Sequence, residues 1–301
     1  MVRLDDLQIF VRAAETGSFS AAARELDIAP AQASAALQRL ERALGVRLFV
    51  RSTRRMRLSE DGERYLPHAR AALSALASGE QVLSEGREEI AGVLKISAPS
   101  DLGRNVLLPW LDAFQARHPR LTLQLRISDR MADLFRQPVD VAIRYGVLED
   151  SSLVSLALAP DNRRVVCAAP AYLARMGAPG VPADLGKHNC LCYVMDDHVH
   201  DRWSFELPSG ACSVRVGGDR ISDDADVVRR WALAGAGLIY KSRVDVIRDL
   251  NAGRLVEVFP STWGQRAPLQ MVFAHRASLT TSVQHLRDFL AAQLRELIAI
   301  S

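Results

Sequence analysis

Five arginines, Arg47, Arg51, Arg54, Arg55 and Arg57, fall within eleven residues that hold no acid. Guanidinium groups at that density suit the phosphate oxygens of a nucleic acid, which they meet through charge-assisted hydrogen bonds. The surroundings sharpen the signal. The net charge of the 301 residues is +3, yet residues 1–58 hold ten Arg against six Asp and Glu. A solvated charged surface is the plainer reading of such a run. Just upstream, "DIAPAQAS" and "AALQRLERALG" (27–45) join small side chains to amides. A glutamine can pair bidentately with adenine, and an alanine methyl can touch the methyl of thymine.

A second stretch, "HNCLCYVMDDHVHD" (188–201), gathers His188, Cys190, Cys192, Asp196, Asp197, His198, His200 and Asp201. On a strand, positions 188, 190 and 192 share a face, and thiolate with imidazole suits a soft metal. The stretch lacks a paired C-x-x-C spacing, and "DDHVHD" is more often a polar loop, so no metal ligands are assigned. Thiol redox sensing is the other alternative, although no cysteine has an activating neighbour in sequence. Catalytic signatures are missing: there is no Walker loop, G-x-S-x-G elbow or zinc-protease motif. "GAGLIY" (235–240) lacks the last glycine of a dinucleotide fingerprint and precedes a strand instead of following one. A binding protein without cofactor, not an enzyme, is the expectation.

The elements that must position the arginines and amides follow from periodicity. Leu7, Phe10, Val11 and Ala14 repeat at helical spacing, with Gly17 as a stop; "SFSAAAREL" offers a capped second helix. A third begins at Pro30, whose fixed φ suits a first helical position, and ends at Gly45. Ala33, Leu37, Leu40 and Leu44 line its inner face. At about 100° per residue, Ala31, Ala35, Gln38, Arg39 and Arg42 point away, with Gln32 and Ser34 flanking them. Two short helices followed by this one make a helix-turn-helix with the third as reader. "VRLFVRSTRRMRLSEDG" then reads as a β-hairpin wing with Arg51, Arg54 and Arg55 at its turn. Ala29 stands where a capping hydroxyl or carboxylate is expected. From Ser59 to about Ile90 one long helix is predicted. Leu66, Ala69, Leu73, Leu76, Leu83 and Ile90 follow heptad spacing, as a dimer seam would, with packing against the same chain as the alternative.

At Gly92 the character changes. "GVLKISAPS", "LTLQLRIS" and "VDVAIR" read as strands, alternating with a helix over 101–117 and a shorter one, which predicts a largely parallel sheet in an α/β layer. "RRVVCAA", "NCLCYV", "CSVRV", "GLIYKS" and "PLQMVFAH" follow, with helices over 223–234, 244–251 and 280–299. The overall class is α/β: residues 1–58 as DNA-binding head, 59–90 as linker, and 91–301 as two subdomains. Subdomain I takes about 91–161 and 266–301, and subdomain II about 162–265. Four cysteines (Cys167, Cys190, Cys192, Cys212) are too few for a disulfide framework. "MVRLDDLQIF" has charges where a signal peptide is apolar, and no apolar run nears the roughly 20 residues of a membrane span. A cytoplasmic location and no membrane partner are expected.

"GSFSAAARELDIAPAQASAALQRLERALGVRLFVRSTRRMRLSEDG" resembles the winged helix-turn-helix of LysR-type transcriptional regulators. "SAPSDLGRNVLLPWLDAF", "HPRLTLQLRISD", "DVAIRYG", "AAPAYLARMGAP", "DLGKHNCL" and "LAGAGLIYKSRVDVIRDLNAGRL" resemble that family's effector-binding domain, which has the fold of periplasmic binding proteins. The family commonly has serine where this chain has Ala29. The resemblance implies double-stranded promoter DNA with an inverted repeat as partner, a dimer or tetramer, and contact with RNA polymerase. DNA contacts are expected at Ser18, Ala31, Gln32, Ser34, Ala35, Gln38, Arg39, Arg51, Arg54 and Arg55. It also implies a small-molecule effector between the subdomains. Ligands of open α/β sheets gather beyond the carboxyl ends of the strands. The expected lining is Ser100, Asp101, Leu102, Ser128, Asp129, Arg144, Tyr145, Ser222, Tyr240 and Lys241. Arg144 and Lys241 would hold an anion such as an organic acid, with pairing of Arg144 to Asp129 or Asp140 as the alternative. A solute-binding protein with a helical extension is the remaining reading.

Overall fold

Apolar residues three and four apart wind the first eighty residues into helices that can bury one side. The computed structural model describes residues 2–51, 56–83, 90–130, 139–146, 153–195, 198–273 and 279–300. One compact unit is built on Met1–Glu88, the other on Glu89–Leu134, Val139–Ala274 and Ser282–Ser301.

In the first unit α1 (Leu4–Thr16) buries Leu7, Phe10, Val11 and Ala13. Ser18 opens α2 (Phe19–Glu25), its Oγ accepting from the Ala21 N–H at 3.4 Å. The reading helix α3 (Pro30–Leu44) buries Ala33, Ala36, Leu37 and Leu40. Strands β1 (Phe49–Arg51) and β2 (Met56–Leu58) pair antiparallel as the wing, Phe49 opposite Leu58. Ser59 then caps α4 (Glu60–Leu83), its Oγ accepting from the Gly62 N–H at 2.9 Å, and the helix runs on through Pro67.

The heptad reading needs correction. Leu66 and Ala69 are buried, and Leu73 partly so, in one core with Phe10, Leu40 and Phe49. The first half of the apolar seam therefore packs against its own chain, because α1 and the wing supply a larger apolar surface. Leu76 remains 50 % exposed. Ile90 lies outside the helix and is buried just before the next strand. The Leu83 side chain falls outside the described residues.

The second unit runs through β3 (Gly92–Ala98), α5 (Ser100–Leu102), a π-turn (Gly103–Leu107) and α6 (Leu108–Arg117). Next come β4 (Leu121–Ile127), β5 (Val141–Tyr145), β6 (Val154–Ala159), β7 (Arg164–Ala168) and α7 (Pro170–Met176). β8 (Cys192–Met195), β9 (His198–Val199), β10 (Arg202–Leu207), β11 (Gly210–Arg215) and β12 (Ile221–Ser222) follow. The chain ends through α8 (Ala225–Leu233), β13 (Ile239–Ser242), α9 (Arg243–Asn251), β14 (Val256–Glu257), β15 (Leu269–Phe273) and α10 (Thr281–Ala299). The short helix expected between β4 and β5 lies outside the described residues.

One sheet has the order β4-β3-β5-β15-β6. β3 is parallel to β4 and β5, but β15 is antiparallel to both β5 and β6. The expected largely parallel sheet is thus mixed. The chain leaves this layer through β6 and returns through β15, and a departing strand paired with a returning one must run antiparallel. Between them lies subdomain II. There β7 pairs antiparallel with β13 and β14, β8 is parallel to β12, and β10 and β11 form a hairpin. Its core holds Tyr172, Trp203, Phe205 and Tyr240.

Candidate nucleic-acid interface and ligand cleft

Burial of Ala33, Ala36, Leu37 and Leu40 turns the opposite side of α3 to solvent. Ala31, Gln32, Ala35, Gln38 and Arg39 are exposed and Ser34 is half-buried. Two of these side chains are already engaged. The Gln32 Oε1 accepts from the Ala29 N–H at 3.2 Å, the back-reaching half of a capping box. Ala29 offers no oxygen for the other half. Arg39 is held by Asp6 of α1, Nη2 to Oδ1 at 2.7 Å and Nε to Oδ2 at 3.3 Å. That fork braces α3 against α1, because Asp6 is buried and needs the cation, while the Arg39 side chain stays 42 % exposed. The hydroxyl of Ser18 caps α2, as described above.

Glu41 joins the reading helix to the wing. Its Oε1 accepts from the Leu48 N–H at 2.8 Å and the Phe49 N–H at 3.4 Å, while Arg47 stays 86 % exposed. Sequence reasoning passed over Glu41, and its only local signal was an acid closing an apolar helix face. Arg54, Arg55 and the side chain of Arg51 lie outside the described residues. Ala29→Ser restores the missing acceptor in front of the Gln32 amide. It should stabilise the head by about 0.5–2 kcal/mol, read as a higher melting temperature of the full chain; no change would show that the cap needs no hydroxyl.

In the second unit the sequence-predicted lining separates into two groups. Ser100, Ser128 and Asp129 border an opening of about 250 Å³ together with Arg104, Ile127, Arg130, Val194, Asp223 and Asp224. Asp101, Leu102, Tyr145, Tyr240, Lys241 and Arg144 do not. Arg144 is 7 % exposed and donates to Ile143 O and Ser97 Oγ, both at 2.7 Å. It braces the inside of the sheet because every residue of β5 from Val141 to Arg144 is buried. The Lys241 Nζ lies 2.8 Å from Asp101 Oδ2 and 3.5 Å from Asp245 Oδ2, all three nearly sealed from water. Neither cation expected to greet an anion faces the opening. Ser222 accepts from the Asp224 N–H at 3.1 Å, and Tyr240 accepts from the Gln265 N–H inside subdomain II.

Lys241 belongs to a web across the two subdomains. Tyr145 donates to Asp245 at 2.5 Å, and Asn105 donates to Asp101 and Asp226 at 2.8 and 2.7 Å. Arg229 meets Asp249 at 2.5 Å, and Arg104 meets Asp224 at 2.7 Å. Asp101, Asp226, Asp245 and Asp249 are buried beside Lys241, while Arg229, Arg230 and Arg254 reach Asp226 and Asp249 from more exposed positions. Burial pushes the Asp101 carboxyl up to about 7, with Asp245 adding to the shift and Lys241 opposing it. Burial works against the charge on Lys241, but Asp101 and Asp245 outweigh it and keep the ammonium above its ordinary value.

A family model described as the LysR substrate binding domain matches residues 87–295, and one for the bacterial regulatory helix-turn-helix protein of the lysR family matches residues 4–63. The chain belongs to the LysR family of transcriptional regulators. The HTH-type transcriptional regulator DmlR of Escherichia coli is 33 % identical over 97 % of this chain and 95 % of its own. The activator AaeR of the same organism is also 33 % identical, over 94 % and 91 %. Among solved structures, CrgA of Neisseria meningitidis is 30 % identical with a TM-score of 0.60, covering 97 % of this chain and 98 % of that one.

For a LysR-family regulator the remaining chemistry-bearing residues have structural uses. The thiols of Cys167, Cys190 and Cys192 are buried, which raises all three, Cys190 to about 12 and Cys192 to about 11. His188 meets the Tyr172 hydroxyl at 3.2 Å. His200 stacks between Tyr193 and Tyr240, and burial lowers it to about 4. Asp196 and Asp197 lie outside the described residues. Among the described residues no three His, Cys, Asp or Glu side chains converge as a metal site, and no helix is long and apolar enough to cross a membrane. Sequence reasoning missed Arg104, Asn105, Asp224 and Asp226. "SDDADVV" carried a signal for two of them, since Asp224 caps α8 by accepting from the Asp226 and Val227 N–H groups.

Proposed function

We propose that this chain binds double-stranded DNA at an inverted repeat, and that a small anion held beyond the strand ends of the second unit sets its state on DNA. The observation that carries the reading is the exposed edge of α3, where Ala31, Gln32, Ala35 and Gln38 stand clear of the core. Small residues let that helix lie deep in a major groove, and the amides supply donors and acceptors for base edges. Two copies are needed for two half-sites, and the exposed Leu76 lies on the surface of α4 available for pairing. Contact with RNA polymerase and a cytoplasmic location belong to the same reading. It needs no metal or prosthetic group.

For the ligand, the Ser100 and Ala225 amides with the Ser100 hydroxyl favour a carboxylate-sized anion. Selection of bound duplexes from a random library, followed by titration in increasing salt, tests the DNA half. Affinity should fall steeply with salt through released counterions. Gln32→Ala should lose about 1–3 kcal/mol of preference at one base pair and destabilise the head as well, because it removes both adenine pairing and the cap. Gln32→Glu keeps the cap acceptor but lacks the amide donor, so it should lose preference with no loss of melting temperature. Equal weakening on selected and random duplexes would remove Gln32 from base reading.

A further inference from the structure

Asp129 stands two residues beyond the end of β4, on the rim of the 250 Å³ opening, and is half-buried. Its Oδ1 accepts from the Ser100 N–H at 2.8 Å. Its Oδ2 accepts from the Ala225 N–H at 2.8 Å and from the Ser100 hydroxyl. Ser100 opens α5 in subdomain I, whereas Ala225 opens the nine-residue α8 in subdomain II. One carboxylate thus takes donors from both sides of the cleft.

With it in place the first turn of α8 has no amide to spare. Ala225 donates to Asp129, Asp226 to Asp224 and to Ser100 Oγ, and Val227 to Asp224. The positive end of a helix favours an anion there. Asp129 supplies one from within the chain. We propose that Asp129 is a tethered clasp, which closes the cleft by occupying the seat an anionic effector would use, so that such an effector binds by displacing it. This rests on the regulatory reading above and adds a competition to it.

Three features make the exchange physically accessible. Asp129 borders open solvent, so its release exposes no core. The Arg104–Asp224 and Asn105–Asp226 contacts tie the two subdomains through residues other than Asp129. A tethered carboxylate also acts at a high effective concentration, so a free anion must either be abundant or add contacts of its own. The clasp therefore discriminates against single carboxylates and favours ligands that reach Arg104 or Arg130 on the same rim.

Acetate is the free equivalent of the Asp129 side chain, which makes chemical rescue the test. The full chain carrying Asp129→Ala should melt about 4–8 °C below the parent. Acetate should restore part of that loss saturably, beyond what chloride does at equal ionic strength. The parent should respond to both salts alike. Asp129→Asn keeps the shape and one acceptor oxygen, so it should melt between the two and gain little from acetate. If Asp129→Ala cannot be folded, the asparagine variant takes its place: a melting temperature equal to the parent's would overturn the clasp. So would acetate acting on Asp129→Ala no better than chloride. An intact effector response beside a failed acetate rescue would sink the clasp and leave the regulatory reading standing.

Discussion

Lys241→Met should lower the melting temperature of the full chain at pH 8 on the order of 10 °C, which is the scale of about 3–5 kcal/mol lost when one partner of a buried ion pair is removed. The substitution keeps the volume of the side chain while leaving Asp101 and Asp245 with too few cations. Acid should relieve part of the loss, because protonating either carboxyl removes the uncompensated charge. The parent itself should be pH-dependent. Asp101 is pushed up to about 7 in the fold, far above its unfolded value. Between those two values the native state holds a proton that the unfolded chain has released, so stability falls as pH rises through that window. Asp101→Asn should flatten the slope. Calorimetry of the three proteins from pH 5 to 8 checks the set; a Lys241→Met variant melting with the parent at pH 8 would show that the web does not need its lysine.

Gly62→Ala should damage the head almost as much by a different route. A Cβ at position 62 would sit 2.1 Å from the carbonyl oxygen of Leu48 and 3.1 Å from Leu58 Cδ2. The first obstacle is backbone, and that same carbonyl already accepts from the Ser59 N–H at 2.9 Å. That carbonyl cannot swing aside as a flexible side chain would. The start of α4 must therefore shift away from the wing, at a cost of about 1–3 kcal/mol for overpacking. Because β1 and β2 move with it, binding should weaken on every duplex alike, selected or random. Anisotropy titrations beside a melting curve test this. Unchanged values in both would mean that the close approach is dispensable.

What the sequence reveals and what it hides divides along the range of the interaction. The helix-turn-helix, the wing and the starts of most strands come from spacing within a dozen residues, and they stand where the pattern places them. The charged residues fared differently. A helical wheel puts Arg39 on the outer side of α3 correctly, yet its partner Asp6 is 33 positions away. Lys241 and Asp101 are farther apart still, so a cation that reads as a ligand hook is half of an internal pair. Arg144 turned inward because its strand is central in the sheet, and strand order is not written in local alternation. The mixed sheet was hidden for the same reason: the direction of β15 follows from where the chain comes back, not from its own residues. The hairpin strand β10 did carry a signal, since "LPSG" marks a turn between two alternating runs.

One consequence follows from the two hydrogen bonds that Glu41 receives from Leu48 and Phe49. They tie the far end of α3 to the start of the wing, so on the proposed DNA-binding reading the gap between these two parts should resist adjusting to a duplex. A clamp of fixed jaw width measures the groove it closes on. Sequences that narrow or widen the groove will be sorted by how much bending and twisting they must undergo to fit, even at base pairs no side chain touches. Glu41→Gln keeps one acceptor and should loosen the jaw, and the tolerated sites should then broaden most at those untouched positions.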